Sequence, residues 1–493
     1  MQSSPVSSKL FLRCNEADEH QSKRYYRHSF PVPEGCTKIR ITLDTETIKT
    51  AQVPLLLYDS EGKVRLMRAA NATIGKARFS YSISQTDGDK GCIPGSLPEG
   101  TWKLVLFKRR IFEDFEASVS VQFETSEDKS QEYNKYMLDN LTFSKACIDP
   151  ESGWYCGELH THSDQSTGYT TLEDVIAAAK EKKLDFIDIT DHFSASHWLR
   201  LQEVFDGERP LLLQSMEVSG DFGHANIHGL TEWYNPLVDD NEKLTEFLGL
   251  AKRPSMEEIA DKVHENGGLF CINHALSGIM GWRYRAFPLS KADLYEVHCT
   301  PENETSMLYT THWDSLLLQG YKLTGVGSSD SHHPTQEGPW EIGNVLTWVH
   351  SDSLSQNDIL KALKNGHAYV GINGAKMDFQ ASSGTKLAQM GDTLSLQPTE
   401  TAHFTLNLFN HPKGYLYLYA DGFIMDTIYF DKPGDSEYCF ALDYDWIAKK
   451  GSSYLRIEFH EAQEPPRFHG MIFRDHLSAR LISNPIWLKR EGT

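Results

Sequence analysis

Side chains able to hold a metal recur through the middle of this 493-residue chain. His160 and His162 stand two apart in "WYCGELHTHSDQSTG", and Asp191 and His192 close "FIDITDH". Glu217 follows "LLLQSM", while "GDFGHANIHGL" carries His224, Asn226 and His228. His274 follows "LFCIN", and His298 follows "LYEV", with Glu296 inside that run. Asp330 and His332 follow "TGVGSS". Imidazole and carboxylate suit zinc, manganese or iron. On an extended segment His-x-His turns both rings to one face, because strand side chains alternate, and Asp330 and His332 share that geometry. A lone histidine is more often a satisfied polar residue, and His197, His264, His312, His333, His350 and His367 read as surface or supporting groups. The ordered series is different. Buried strands favour Val, Ile and Leu, so packing alone does not call for such residues at successive strand ends. The series reads as a cluster for two or three divalent metals.

The elements that must position these residues follow from periodicity. Residues 1 to 125 alternate in runs such as "KIRITLDTET", "TWKLVLFKRR" and "ASVSVQFET", which predicts a β-sandwich-like domain. Residues 126 to 150 read as a linker. Residues 151 to 372 alternate helix with strand. In "TTLEDVIAAAKEKKLDFIDITDH" Thr170 and Glu173 stand at capping-box spacing, and Leu172, Val175, Ile176 and Ala179 form one apolar stripe. In "PSMEEIADKVHENGGLFCINHA" Ser255 and Glu258 can cap, Met256, Ile259 and Val263 face inward, and a Gly pair stops the helix. "SQNDILKALKNGHAYVGI" is a third such unit. The repetition predicts an α/β parallel sheet or barrel, where side chains at the C-terminal strand ends share one mouth. Residues 373 to 493 return to strand-like runs and predict a C-terminal β domain.

The formal net charge is -20, which disfavours nucleic acid or an anionic membrane as partner. A bound cation can reverse the local sign, so an anionic substrate stays open. The first residues lack a signal peptide's basic and apolar regions, and no apolar run reaches the ~18 residues of a spanning helix. The expected setting is cytoplasmic. Eight scattered cysteines without a C-x-x-C pair read as free thiols.

In order, "HTHSDQSTG", "ITDH", "SMEVSG", "INHA" and "GSSDSHH" resemble the motifs of the polymerase and histidinol phosphatase (PHP) superfamily over about 220 residues. "GHANIHGL", "LKNGHAYVGING" and "SNPIWL" look more like its CehA/McbA branch, which carries a β domain after the catalytic part. The resemblance implies a distorted (β/α)7 PHP-type barrel, related to the TIM barrel, with two or three divalent ions (Zn, Mn or Fe). By that likeness His160 and His162 bind one metal with Asp330. Glu217 bridges metals, His192 and His332 bind another, and His274 with Glu217 holds a third if one is present. Asp191 supports its neighbour. Two departures stand out. Where the family places an aspartate or histidine ligand the chain has Thr167, with Asp164 as the candidate replacement. Where the family often has a mid-barrel histidine the chain has Asn226, with His224 two residues earlier as the substitute. His298 is a further ligating or supporting candidate. The other His-x-His barrel class, the amidohydrolases, fits Glu217 and Asp-x-His less well.

The expected chemistry is hydrolysis of a small-molecule ester by a metal-activated hydroxide, with no protein nucleophile. Phosphoesters lead, because they are the commonest PHP substrates. Arg283 and Arg285 in "GWRYRAFP" are candidates to grip phosphate in bidentate fashion, against a plain reading as surface ion-pair partners. The CehA/McbA likeness favours a carbamate or carboxyl ester instead, with Trp282, Tyr284 and Phe287 shaping an apolar pocket. A third alternative is a non-catalytic carbohydrate- or protein-binding protein with a vestigial barrel. The sequence is silent on oligomeric state.

Overall fold

A computed structural model describes residues 6–13, 25–107, 114–126, 138, 141–220, 222–233, 255–278, 280–299, 306–334, 337–338, 340–443, 452–462 and 479–491. The expected linker at 126–150 lies partly outside these. The N-terminal strands form one six-stranded antiparallel sheet. Its spine is the long strand Cys36–Tyr58, hairpinned to Val64–Ser84. The first half of the spine pairs with Phe115–Thr125 and its last residues pair with Gly100–Phe107. Apolar residues of both halves, among them Ile41, Val121, Leu57 and Trp102, belong to one core, so the long strand turns the sheet onto itself.

The central strands fall into two ladders. In one, Leu211–Leu213, Phe186–Ile189 and Gly153–Thr161 run parallel, and Val345–Ser351 adds on antiparallel. In the other, Met216–Gly220, Gly223–His228, Leu269–Ile272, Leu294–Cys299 and Thr324–Ser328 lie side by side. Two single bridges join their edges, His192 to Glu217 and Thr161 to Ser331. Besides Val345–Ser351, Gly223–His228 departs from the expected parallel order and runs antiparallel to both its neighbours. Only two residues of sequence separate Gly220 from Gly223, too few for a crossover helix.

Local chemistry explains the helices. Leu172–Glu181 is capped by Thr171, whose hydroxyl accepts from the Asp174 amide, one residue later than the Thr170 and Glu173 expected. Ser255 and Glu258 form the expected capping box on Met256–Glu265. Leu172, Val175 and Ala179 on the first helix, and Met256, Ile259 and Val263 on the other, are buried. Among the described residues no helix is long and apolar enough to cross a membrane. Their seven cysteines are free.

The sheet does not stop at residue 372. Ala368–Ile372 pairs with Ala479–Ser483, and the first ladder continues through Ser452–Glu461 to Gly414–Ala420 and Phe423–Phe430. A separate four-stranded sheet of Lys376–Ser383, Lys386–Gln389, Thr401–His411 and Gly434–Asp443 packs nearby.

Candidate metal centre

The site grows from strand ends. His160 is the penultimate residue of Gly153–Thr161, and His162 follows the strand. The Thr161–Ser331 bridge, with the His162 amide donating to the Ser331 carbonyl at 2.9 Å, brings the Asp330–His332 turn alongside. The His192–Glu217 bridge does the same across the other seam. In the hairpin register Ser219 faces His224 and Glu217 faces Asn226, so the pleat directs Glu217 and Ser219 to one side. His274 and Asp330 both adopt left-handed backbone, with φ of 26° and 49°. Such conformations cost about 1–3 kcal/mol each and gather at functional sites.

Three overlapping groups result: His160, His162 and Asp330; His160, Glu217 and His274; and His162, His192 and His332. Asp330 Oδ1 lies 3.2 Å from His160 Nε2 and 3.0 Å from His162 Nε2. Glu217 Oε2 lies 2.8 Å from His192 Nδ1, 3.4 Å from His162 Nε2 and 3.5 Å from His160 Nε2. Its Oε1 faces His224 Nδ1 at 2.9 Å and His274 Nε2 at 3.6 Å. The ring of His162 lies 4.5 Å from that of His192 and 4.3 Å from that of His332.

The donor set fits divalent cations. His160 Nε2, Glu217 Oε2 and His224 Nε2 are buried without a hydrogen-bond partner. Leaving such atoms unmet costs on the order of 1–3 kcal/mol each, more for charged groups. Electrostatics agrees. Burial pushes the Glu217 carboxyl up, but His192, His224 and His160 outweigh burial and hold it well below its ordinary range. Burial also holds His162 well below its ordinary value, helped by His332 and His192, and leaves the neutral imidazole that ligates metals. His160 goes the other way. Burial disfavours its charge, yet Asp330, Glu296 and Glu217 raise it well above its usual value. The carboxylates therefore demand a positive charge at this point, which a proton meets in part and a cation meets more fully.

A supporting shell surrounds the cluster, and sequence reasoning missed most of it. Glu296 Oε1 lies 2.8 Å from His160 Nδ1 and accepts from Ser328 Oγ at 2.6 Å, while Oε2 accepts from the His274 amide at 2.6 Å. The available signal was a carboxylate inside the apolar run "LYEVHC". Ser219 Oγ meets His192 Nδ1 at 2.6 Å, and Asn273 Nδ2 donates to Glu217 Oε1 at 3.2 Å and Asn226 Oδ1 at 2.8 Å. Glu158 is fully buried and takes the Ser329 amide at 2.6 Å, steadying the turn that carries Asp330.

The remaining candidates have other places. Asp191 accepts from the Ser163 amide at 2.9 Å and Oγ at 2.5 Å, and from Ser166 Oγ, so it holds the loop behind His162. Asp164 lies outside the three groups, with its carboxylate paired to Lys90. His224 touches Glu217 but belongs to none of the three groups, and burial lowers it to about 4. His298 also falls outside them. A bulge between Glu296 and His298 breaks their shared face, and His298 is lowered to about 4 by burial and by the neighbouring His460. Arg283 and Arg285 line a cleft of about 830 Å³ with Phe222, Trp282, Tyr284 and Phe287. None of the residues in the three groups lines that cleft, although Trp282 in its wall packs against Gly223, next to His224 in the chain.

Residues 317–368 match a family model described as PHP-associated. No curated protein matches the chain. Among solved structures, the chain is similar to a two-domain protein from Bacteroides vulgatus described as containing a predicted PHP-like metal-dependent phosphoesterase. That likeness has 17% identity, covers 64% of this chain and 93% of that one, and has a TM-score of 0.36. A candidate metal-dependent phosphoesterase from Bifidobacterium adolescentis shares 14% identity over 42% of this chain and 94% of its own, with a TM-score of 0.28. Neither score establishes a common fold.

Proposed function

We propose that the chain is a divalent-metal-dependent hydrolase of phosphoesters built on a PHP-type site. One observation carries the reading: Glu217 and Asp330 each face several imidazoles in three overlapping, largely buried groups. The match of residues 317–368 to a PHP-associated model supports it. We read Gly153–Thr161 and Phe186–Ile189 of the first ladder and the five strands of the second, joined by the two bridges, as a distorted seven-stranded ring around this centre.

By this reading His160, His162 and Asp330 would hold one ion, His192, His332 and Glu217 would hold a second, and His274 with Glu217 would hold a third if one is present. Zinc, manganese and iron all suit these donors. When bound, closely spaced divalent ions supply Lewis acidity, an activated water and a clamp on phosphoryl oxygens. The protein supplies the rest. With a cation bound, Glu296 would keep a proton on His160 Nδ1 and leave the Nε2 lone pair for the centre. Ser219 and Asn273 orient His192 and Glu217. Asp191 fixes the loop after His162. The burial of most donors excludes water, so charge developing in the transition state is weakly screened. Arg283 and Arg285, which line the cleft with Trp282, are our candidates to orient an anionic group of the substrate.

A second reading rests on the same cleft. Phe222, Trp282, Tyr284 and Phe287 give it an aromatic wall suited to the apolar group of a carboxyl ester or carbamate. Hydrolysis of phosphate monoesters, phosphate diesters, carboxyl esters and carbamates by metal-reconstituted protein, alongside elemental analysis, separates the readings. Manganese-dependent phosphoester turnover that His160→Ala abolishes is the expected result. No hydrolysis of any class before or after metal is restored would refute the enzyme.

A further inference from the structure

The N-terminal sheet reaches the loop that follows His162. Arg68 donates through Nη1 to the carbonyl oxygens of Asp164 and Gln165 at 2.8 and 3.1 Å, and Lys90 pairs with the Asp164 carboxylate. Between sheet and loop lies a cleft of about 630 Å³, lined by Arg68, Arg78, Lys90, Tyr81, Thr167 and Tyr169 among others. The one acid on its wall, Asp89, is engaged by the Ser82 amide at 2.7 Å. Arg78 is exposed, and its guanidinium makes no hydrogen bond or ion pair among the described residues. Thr167 Oγ1 is buried and has no hydrogen-bond partner. An unpaired guanidinium fork and an unmet hydroxyl lining one cleft can together receive an oxyanion.

The cleft and the metal centre share one loop. Gly168 lies against His162 so closely that a Cβ there would stand 2.5 Å from the His162 carbonyl oxygen. The Tyr169 amide donates to the His332 carbonyl at 2.9 Å, and the Tyr169 ring stacks on His333 at 4.2 Å. His332 is the most exposed candidate ligand, with 30% of its side chain accessible, so the centre opens to solvent beside Tyr169. A chain carrying -20 net charge repels anions at long range. Cations at the mouth, set in low-dielectric walls, reverse that field locally.

We propose that this cleft is a phosphate-binding subsite, holding a second anionic group of the substrate remote from the scissile ester. It deepens the hydrolase reading above, and its binding can be measured without turnover. The probe is inorganic pyrophosphate, titrated calorimetrically into the full chain after chelation, so that no metal competes for the ligand. Saturable binding is expected, weakened about tenfold by Arg78→Ala and less by Arg78→Lys, and falling as salt rises. Absence of saturable binding, or equal affinity in Arg78→Ala, overturns the subsite. Turnover of p-nitrophenyl phosphate by the metal-loaded wild type tests the hydrolase separately. Turnover with Arg78-independent binding defeats the subsite alone, whereas Arg78-dependent binding without hydrolysis of any ester upholds the subsite and defeats the hydrolase.

Discussion

Replacing Glu296 with Gln probes how the buried shell tunes the centre. Its Oε1 serves His160 Nδ1 at 2.8 Å and Ser328 Oγ at 2.6 Å, and Oε2 serves the His274 amide at 2.6 Å. A carboxylate accepts at both ends, but an amide accepts at one. If the Gln oxygen keeps His160 and Ser328, its NH2 group confronts the His274 amide, donor against donor. If the amide flips, two donors confront the NH2 group. Either way at least one buried contact is lost, and the orientation of His160 or His274 loosens. Loss of such an outer partner typically costs 10–100-fold in metal affinity, about 1.4–2.7 kcal/mol. Glu296→Gln should therefore weaken manganese binding by that factor in a chelator-competition titration. The variant keeps volume and polarity, so its far-UV spectrum should match the wild type. Wild-type affinity and stoichiometry in a folded Glu296→Gln would refute the role assigned to this carboxylate.

Other expectations follow from single contacts. Glu217→Gln removes one of the two oxygens shared by several imidazoles, so elemental analysis should find at least one fewer metal equivalent per chain; an unchanged count would contradict a bridging role. Asp164→Ala should leave the count unchanged, because its carboxylate is turned to Lys90, and a lost equivalent would place Asp164 in the centre after all. Restoring manganese at about 100 times its Kd should stabilise the chain by about 2.7 kcal/mol, visible as a higher Tm that chelator reverses. A Tm indifferent to metal would show that the folded state does not bind it. Acid should act on Glu458, which is fully buried. Burial raises its carboxyl, but Arg456 and His460 outweigh burial and bring it from the ordinary 4.5 to about 2. A depressed carboxyl stabilises the fold above its unfolded value, so about 3 kcal/mol should be lost as pH falls from 4.5 towards 2. Glu458→Gln should flatten that part of the Tm-against-pH curve, and an equally steep curve would assign the acid sensitivity elsewhere.

Local signals carried the helices. Ser255 and Glu258 cap as their spacing requires, and the buried stripe of Leu172, Val175 and Ala179 follows from helical periodicity. The cap of that first helix moved from Thr170 to Thr171 because adjacent threonines offer the same hydroxyl, and spacing alone does not choose between them. Tertiary facts were less legible. The continuation of the central sheet from Ala368–Ile372 into Ala479–Ser483 joins residues more than a hundred positions apart, which no periodicity records. The bulge that turns His298 away from Glu296 is a one-residue slip in a ladder, and alternation cannot foresee it. Asp164 reads as a ligand candidate by proximity to His162, whereas its direction is set by Lys90, about seventy residues upstream in another sheet.

The position of the ligand candidates along the strands explains why they lie together. His162, His192, His274, Asp330 and His332 stand just beyond strand ends, where the ladder no longer dictates the backbone, while His160 and Glu217 point in from within their strands. Two of those beyond the ends, His274 and Asp330, take left-handed conformations there. Neither conformation would survive inside a strand, and each is held by contacts to its own support: the His274 amide by Glu296, and the turn before Asp330 by Glu158 through the Ser329 amide. Both supports are carboxylates on strands facing the interior, and both are essentially fully buried. The two supports differ in charge. Burial pushes the Glu158 carboxyl up to about 8, so it steadies the Asp330 turn largely uncharged. Glu296 is buried too, but His160 and His274 hold its carboxyl below the ordinary range, so it adds negative charge beside Glu217 and Asp330. The acid that fixes the His274 backbone thus also adds to the demand for a cation, and at this point geometry and metal demand arise from one residue.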